Sequence, residues 1–395
     1  MTKLENSLLD SFRKYVPWVF IIAAVAVAVA VRCLLVPIVS SDMRLFLLPW
    51  YEEMVANGGG YESVFLSRGN YNTAYLSLIW LATKLPMQPI AAIKLFSFLG
   101  DALLAWAAAL IARQLLVAKR WRNLYTALAF CGVLLLPTVV LNSAYWGQCD
   151  AIYSAFLLFA VWCALRQRYI FTFVFAGLAL AFKLQAIFLL PALIILYVCK
   201  RRFSILHFLV PPAILVLSTA PDIIYHGDIL APFRVYAGQV TIGDGAYVNY
   251  HNLGAVFGKF GDTTFSVPLI LLFFLVCLGM LAIVLVRRLD FSGDGLLLLC
   301  GWSVMACVVL LPSMHERYAF AGEILLLLWA VLRPSVRRLA PAVTFYLIGL
   351  MACCRFVLGQ LWPGQNIWLG LLNAACFAVI STLLLHDAAR ARPTK

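Results

Sequence analysis

A turn near residue 315 places three polar side chains between two strongly apolar stretches. The turn, LLPSMHERYAF, contains His315, Glu316 and Arg317, and an arginine at the bilayer centre costs about 2.5–3.5 kcal/mol on insertion scales. Arg317 offers a planar fork that suits phosphate oxygens, and His315 can donate or accept a hydrogen bond near neutral pH. An ordinary surface turn, in which Glu316 pairs with a neighbour, is one interpretation. A site for an anionic ligand is the other, and it is favoured because the turn is short and follows Pro312 directly.

Asp42, in the sequence VSSDMRLF, directly follows the first apolar run. One interpretation is structural, because Ser40, Ser41 or Asp42 can accept hydrogen bonds from free N–H groups at the start of the next helix. The other is catalytic, because a general base must be fixed, partly desolvated and close to its target. Both interpretations place the carboxylate at a membrane surface.

The sequence LNSAYWGQCDAIY gathers Tyr145, Trp146, Gln148 and Asp150 between two apolar runs. A simple turn needs a glycine, but it does not need a tryptophan, an amide and a carboxylate together. Aromatic rings beside amides and carboxylates suit a sugar, whose faces are apolar and whose edges form hydrogen bonds. The alternative is ordinary membrane anchoring by interfacial Trp and Tyr.

Charged residues interrupt two further apolar stretches. In AFKLQAIF, Lys183 either faces an anionic ligand inside the bundle, beside Gln185, or extends its ammonium to the interface. Lys94 and Asp101 lie seven residues apart, which puts them on one helical face and favours an internal ion pair. The sequence has no glycine-rich phosphate loop, DxD pair or Cys/His metal spacing, so we expect no metal and no cofactor.

The composition indicates which elements must hold these residues. The chain has 395 residues, of which 64% are hydrophobic and 12% charged, and several segments reach the roughly 20 apolar residues that cross a hydrocarbon core. The runs are continuous and do not alternate as the strands of outer-membrane barrels do. We therefore predict an all-α polytopic membrane protein with about twelve spans. They lie at about 17–37, 89–117, 123–141, 151–167, 169–183, 185–199, 204–220, 267–287, 294–312, 318–332, 338–356 and 367–386.

The basic residues predict how the chain is oriented. Twelve spans with both termini in the cytoplasm put every basic cluster on the cytoplasmic face. This distribution accounts for most of the net charge of +13, so we expect no nucleic-acid partner. The clusters are Arg13/Lys14, Lys119/Arg120/Arg122, Arg166/Arg168, Lys200/Arg201/Arg202, Arg287/Arg288, Arg333/Arg337/Arg338 and Arg390/Arg392.

The candidate site residues then fall together on the external face. Residues 1–395 are predicted to form one membrane domain, with a cytoplasmic lead at 1–16. The first external loop, 38–88, is predicted to hold two juxtamembrane helices, at 43–60 and 71–86, because counting 71–86 as a span would invert every later loop. The second large external loop, 221–266, is predicted to be an ordered cover over the mouth of the bundle, as a substrate lid would be. Gln365 and Asn366 belong to the same face.

The order of these motifs resembles that of the GT-C class of membrane glycosyltransferases. The motifs are SSDMRLFLLPWYEEM, GNYNTAYLSLIWL, AYWGQCDAIY, FKLQAIFLLP and HERYAF, and the resemblance covers roughly residues 15–330. It is greatest to bacterial relatives of the GPI mannosyltransferases and extends, more distantly, to the dolichyl-phosphate-glucose glucosyltransferases.

The resemblance implies a GT-C fold, a polyprenyl-phosphate sugar donor, and inverting transfer of a hexose to a glycan or lipid-linked acceptor on the non-cytoplasmic face. We expect a monomer among membrane lipids, in a bacterial inner membrane with a periplasmic site or in an ER membrane with a lumenal one. The resemblance implies that Asp42 is catalytic and that His315 lies near the donor phosphate, where Arg317 and Lys183 would add positive charge. Contacts to the sugar or acceptor are expected from Tyr145, Trp146, Gln148, Asp150 and Gln185. A lipid-linked-glycan flippase and a polysaccharide polymerase are the alternative classes.

Overall fold

The computed structural model describes residues 1–67, 69–117, 121–240, 245–359 and 364–390. Within these ranges the chain is helical, and its one β pairing is an isolated bridge between Tyr247 and Phe260. The predicted all-α class is therefore confirmed. Several predicted positions lie outside the described residues: Lys119, Arg120 and Arg392 of the basic clusters, 241–244 of the second external loop, and 360–363.

Helices form because lipid offers backbone N–H and C=O groups no partners other than one another. The α-helices are α1 (Lys3–Leu35), α2 (Leu48–Ala56), α3 (Ser63–Leu66), α4 (Thr73–Ala82), α5 (Pro89–Leu115), α6 (Arg122–Leu134), α7 (Pro137–Val140), α8 (Asp150–Leu165), α9 (Tyr169–Phe182), α10 (Leu190–Lys200), α11 (Val210–Ser218), α12 (Ala220–His226), α13 (Ala231–Gln239), α14 (Gly254–Phe257), α15 (Ser266–Arg287), α16 (Gly293–Leu310), α17 (Phe320–Leu332), α18 (Val336–Leu358) and α19 (Ile367–Arg390). Two π-helical segments, Met43–Leu47 and Leu141–Trp146, and two 3₁₀ segments, Leu184–Leu189 and Ile205–Leu209, adjoin them.

Each of the twelve predicted apolar runs coincides with a helix or with consecutive helices. Within the described ranges, six helices are long and apolar enough to cross a membrane: α1, α5, α15, α16, α18 and α19. The number rises to eight if two bent pairs each count as one span, and five further apolar helices are shorter. The chain is thus a polytopic helical membrane protein, whereas the total of twelve spans stays a prediction.

Proline explains the first of these bends. Helix α6 ends at Leu134, and Leu136 is extended (φ −60°, ψ 127°) because it precedes Pro137. Pro137 then begins α7, which runs into the π-helical segment Leu141–Trp146 at 45° to α6. This segment stops at Gly147, whose φ of 82° suits glycine. A broken helix therefore delivers Trp146 and the residues after it to the end of the bundle.

At one end of the bundle, loops that carry the predicted cytoplasmic clusters contact one another. The Arg13 guanidinium lies 5.4 Å from the centroid of the Trp121 ring, and Arg202 donates to Gln167 at 2.6 Å. Further contacts at this end are the ion pairs Lys200–Asp290, Arg333–Asp294, Arg338–Asp294 and Arg338–Asp387. Leu116 and Tyr125, on either side of the Lys119 cluster, line one groove with Leu332 and Pro334. The basic loops thus share one end, as the charge pattern predicted.

The predicted external loops contact one another, and their contacts among the described residues do not involve the basic loops. Asn72 of the first loop donates to the Pro232 carbonyl of the second at 3.4 Å, and Gln239 donates to the Asn70 carbonyl at 2.7 Å. His251 lies 3.1 Å from the carbonyl oxygen of Gly364, which precedes α19. Two sets of loops are therefore separated, in the alternation that the basic residues predicted.

The first external loop contains helices at both predicted places. The π-helical segment Met43–Leu47 and α2 occupy 43–56, and α4 occupies 73–82. The chain after α2 turns through Gly58 and Gly59, whose φ values are +84° and +67°. A short helix that was not predicted, α3, lies between them. These helices pack as a separate apolar cluster against α5 and the start of α8, which fixes the segment that contains Asp42.

The predicted ion pair between Lys94 and Asp101 is wrong. Asp101 instead accepts from Arg32 of α1 at 2.6 Å and from the Ser143 hydroxyl at 2.5 Å. The Lys94 ammonium donates to backbone carbonyl groups, including those of Ile38 and Ala144. Seven-residue spacing puts both side chains on one face of α5, but each meets a different neighbouring segment.

Candidate functional site

A polar cavity of about 650 Å³ lies where the external loops meet. Four of the residues predicted from the sequence line it: Asp42, Gln148, His315 and Arg317. The other lining residues are Phe46, Leu47, Trp50, Asn70, Tyr71, Val248, Asn249, Phe260, Gly261, Glu316 and Phe356. The cavity therefore joins the first loop, the end of the broken helix, the second loop and the turn before α17.

The Asp42 carboxylate faces this cavity and does not cap a helix. Its side chain makes no capping hydrogen bond, and the Ser40 hydroxyl instead accepts from the Met43 N–H at 3.1 Å. Asp42 Oδ2 accepts from Gln148 Nε2 at 2.5 Å and from Arg317 Nη1 at 3.3 Å. The amide and the guanidinium thus hold the carboxylate in one orientation while it remains partly accessible, with 14% of the side chain exposed.

Trp146 supports the guanidinium of Arg317. The Arg317 Cζ lies 5.1 Å from the centroid of the Trp146 ring, a cation–π arrangement. The ring is buried and stands 5.0 Å from the Phe356 ring. Arg317 Nε has no hydrogen-bond partner among the described residues. Trp146 is therefore a buried platform for a cation and not a membrane anchor on the protein surface.

Glu316 is bound to the second external loop. Its Oε2 accepts from Asn249 Nδ2 at 2.8 Å, whereas His315 Nδ1 is 3.9 Å away. The loop is held by its backbone, because the N–H groups of Asn249 and Tyr250 donate to the Met314 carbonyl at 3.3 and 3.0 Å. The part of the second loop around Asn249 is thus an ordered wall of the cavity, whereas its role as a cover over the mouth stays a prediction.

His315 stands between the polar cavity and a second, apolar groove. The groove has a volume of about 260 Å³, and His315 lines both spaces. Gln185 is the other predicted residue in the groove, whose remaining walls are mostly aliphatic, with Leu184, Ile187, Ile270 and Leu311 among them. A ligand that has both an anionic group and an apolar chain could therefore contact both spaces at His315.

Tyr71 is a cavity residue that the motif analysis did not single out. Burial raises the pKa of its phenol well above the ordinary value, so the hydroxyl stays neutral and can donate or accept a hydrogen bond. Its ring packs 5.9 Å from that of Trp50. The sequence GNYNTAY contains polar residues at the start of a helix, which was the available indication of its place.

Five of the nine predicted site residues do not line the cavity. Trp146 packs behind Arg317 and Gln185 lines the groove, whereas Lys183, Asp150 and Tyr145 line neither space. Lys183 forms a buried ion pair with Asp150, whose second oxygen accepts from Asn142 Nδ2 at 2.7 Å. Tyr145 directs its carbonyl oxygen to Lys94, at 3.4 Å. Lys183 lies at an extended position (φ −156°, ψ 137°) between α9 and the 3₁₀ segment, which turns its ammonium towards α8.

The donor atoms of the cavity suit an anionic organic ligand. Within the part of the chain that the structure describes, no group of three or more His, Cys, Asp or Glu side chains is placed to hold a metal ion. Arg317 and His315 line the cavity and are side-chain types that bind anions, while Asp42 can accept a proton from a hydroxyl nearby. The cavity can therefore bring together an anion, a base and an apolar chain.

Comparison with known proteins gives no family assignment. No protein-family model matches the chain, and no curated protein matches it significantly.

Proposed function

We propose that the chain is an inverting GT-C hexosyltransferase that uses a polyprenyl-phosphate sugar. The observation that carries this proposal is the meeting of Asp42 and Arg317, 275 residues apart, at 3.3 Å in one cavity. His315 then connects that cavity to an apolar groove. A base, a cation and an adjoining apolar groove are the parts that transfer from a lipid-linked sugar phosphate requires.

The donor phosphate would lie near Arg317 and His315. The guanidinium can form two parallel hydrogen bonds to phosphate oxygens, and its Nε has no partner among the described residues. The first isoprenoid unit would then enter the groove beside Gln185, while the rest of the chain extends into lipid. The sugar would project into the larger cavity, between Trp50, Tyr71 and Asn249.

The chemical step is one displacement at the anomeric carbon. The acceptor hydroxyl oxygen forms the new bond to that carbon, and the bond from the carbon to the phosphate oxygen breaks with its electron pair on the oxygen. Asp42 takes the proton of the attacking hydroxyl. Arg317 and His315 stabilise the charge that grows on the phosphate, an effect commonly worth several kcal/mol in a preorganised site. A single displacement without a covalent intermediate inverts the anomeric configuration.

The pairing of Asp42 with Arg317 suits this sequence of events. When the donor phosphate engages Arg317, the 3.3 Å contact to Asp42 is the one that it replaces. Gln148 stays 2.5 Å from the carboxylate and keeps it oriented. Binding of the donor would thus free an acceptor site on Asp42 for the hydroxyl that attacks.

The proposed setting is a bacterial inner membrane, with twelve spans and a periplasmic cavity. The support is the separation of the two sets of loops, together with the rule that Lys and Arg collect in the cytoplasm. The acceptor would be a glycan or a lipid-linked glycan that reaches the cavity from the periplasm, and the enzyme would act as a monomer.

The test uses purified full-length protein in lipid nanodiscs. It is incubated with a panel of polyprenyl-phosphate hexoses and oligosaccharide acceptors, and mass spectrometry follows the free polyprenyl phosphate and the extended acceptor. We expect both products from at least one donor, and equal amounts from a control variant of a distant loop carboxylate, Asp228→Asn. Movement of lipid-linked glycan across proteoliposomes with no release of polyprenyl phosphate would overturn the proposal and identify a flippase.

A further inference from the structure

A buried lysine joins the chain segment that leads to Asp42 and the segment that leads to Gln148. Lys94 lies in the second turn of α5 and is 0% exposed. Among the described residues, no carboxylate lies within ion-pair distance of its ammonium. Its Nζ instead donates to five backbone carbonyl oxygens, at 3.2 Å from Leu35, 3.2 Å from Val36, 2.7 Å from Ile38, 2.6 Å from Ala144 and 3.4 Å from Tyr145.

The Lys94 ammonium is a fixed positive charge surrounded by backbone carbonyl oxygens. Burying an unpaired charge is costly unless other dipoles replace the lost water, and five carbonyl dipoles do so here. An ammonium has three protons, so some of the five contacts share a proton and all depend on one centre. Leu35 also accepts from the Ile38 N–H at 3.1 Å. Without the ammonium, the other carbonyl groups of the two segments would face one another without this donor.

Both segments continue directly into the cavity. Asp42 follows Ile38 by four residues, and Gln148 follows Ala144 by four. The Ser40 hydroxyl adds a second connection, since it donates to the Trp146 carbonyl at 2.7 Å. The segments are also tightly packed, because a Cβ at Gly147 would approach Met43 Cε to 2.6 Å. A shift of either segment would therefore move Asp42 relative to Gln148.

We infer that Lys94 is a positioning residue, which fixes the Asp42 carboxylate relative to Gln148 and Trp146. The effect of Lys94 on catalysis rests on the proposed function. The connection that Lys94 makes between the two segments does not depend on that function. Lys94 does not touch the cavity, so it acts on the reaction only through the backbone that it holds.

The experiment compares Lys94→Met and Lys94→Gln with the wild type and with Lys84→Met. Lys84 is a matched control, because it also donates to a backbone carbonyl, that of Gly59, but is exposed and does not line the cavity. We expect kcat to fall about 10- to 100-fold in folded Lys94→Met, since small misplacements of reacting groups have effects of this size. The KM for the donor should stay within about twofold, because Arg317 and His315 are unchanged. Lys94→Gln keeps two N–H donors and should recover part of the loss.

Hydrogen–deuterium exchange gives a measurement that does not depend on activity. In Lys94→Met and Lys94→Gln, exchange should rise in residues 35–44 and 143–149 and stay unchanged elsewhere, and Lys84→Met should match the wild type. Should Lys94→Met fail to fold, Lys94→Gln supplies both measurements.

Two results would overturn the inference: normal kcat in a folded Lys94 variant, or faster exchange spread through the whole molecule with donor affinity also lost. The second result would mean that Lys94 is only a general stabilising residue. If the wild type transfers no sugar from any donor, the proposed function fails, and the exchange pattern still decides whether Lys94 couples the two segments.

Discussion

Two carboxylates near the same broken helix have the same kinds of partners but different access to solvent. Asp42 accepts hydrogen bonds from an amide, Gln148, and a cation, Arg317. Asp150 likewise accepts from an amide, Asn142, and forms an ion pair with Lys183. In the first group, the side chains of the ion pair are 14% and 17% exposed and line a cavity. In the second group they are 1% and 4% exposed and line none of it.

The two groups differ in access to solvent and not in residue type. Under the proposed function, this access is what would make the Asp42 group reactive and leave the Asp150 group structural. Asp150 and Lys183 contact protein groups in place of water, so the stability of the folded protein depends on both members of this ion pair. The Asp42 group can exchange a partner for a substrate oxygen, because a cavity of about 650 Å³ lies beside it. Variants of the two groups test whether they are separated in this way.

The largest effect is expected from Asp42→Asn. Loss of a positioned general base typically lowers the rate by a factor of about 10² to 10⁴, and the amide can still accept from Gln148. We expect transfer to fall by that factor while donor affinity and the melting temperature stay near those of the wild type. Single-turnover transfer, donor binding and thermal unfolding in nanodiscs measure the three quantities. Near-normal turnover would show that Asp42 is not the base.

Lys183→Met should destabilise the protein by about 3–5 kcal/mol, because it leaves the Asp150 carboxylate buried without a cation. The double variant Lys183→Met/Asp150→Asn should recover most of that loss, since it leaves no unpaired charge there and the new amide oxygen can still accept from Asn142. Denaturant unfolding in mild detergent compares the three proteins.

The double variant also tests the role that the motif order implied for Lys183. If it is folded and binds the donor normally, Lys183 is structural. Strongly weakened donor binding in the folded double variant would place Lys183 at the phosphate and end the contrast between the two groups.

The parts of the fold that depend on the bilayer could be predicted from the sequence. Continuous apolar runs predicted the helices, because a span must satisfy its backbone internally. The alternation of basic clusters predicted that Asp42 and Arg317 would share one end, and the structure brings them to 3.3 Å. Both predictions follow from constraints that act on whole segments.

The choice of partners could not be predicted, because it depends on how neighbouring helices pack. Helical spacing paired Lys94 with Asp101, yet each bonds to other segments. Asn249 contacts Glu316 across 67 residues, a separation that no local pattern reports. Asn249 was overlooked as a site residue for this reason.

Arg317→Lys should have a smaller effect than Asp42→Asn. The positive charge remains, but the planar fork and its stacking on Trp146 are lost. Hydrogen bonds to charged groups are worth about 1.5–3 kcal/mol, so we expect kcat/KM to fall by a factor of about 10 to 100, with much of the change in the KM for the donor. Arg234→Lys, at an exposed ion pair in the second loop, is the matched control. Equal kinetics in wild type and Arg317→Lys would mean that the phosphate does not meet the guanidinium.

The smallest effect is expected for His251, a buried side chain in the second external loop, which forms one wall of the cavity. Burial lowers the pKa of His251, whose Nε2 lies 3.1 Å from the Gly364 carbonyl oxygen, so the folded protein holds the ring neutral at pH 7. The unfolded chain takes up this proton near the ordinary pKa of about 6.5. Stability is therefore unaffected by His251 above that pH and falls as the pH drops below it, because the unfolded state then binds more protons.

We expect the melting temperature to fall between pH 7.5 and 5.5, and His251→Gln to reduce that fall by about 2 °C. Glutamine keeps a donor for the Gly364 carbonyl but cannot titrate. His226→Gln, on the exposed surface of α12, should leave most of the pH dependence in place. If His251→Gln and the wild type lose stability equally on acidification, the wall of the cavity admits water at His251. The difference in solvent access between the Asp150 group and the Asp42 group would then have no counterpart in this loop.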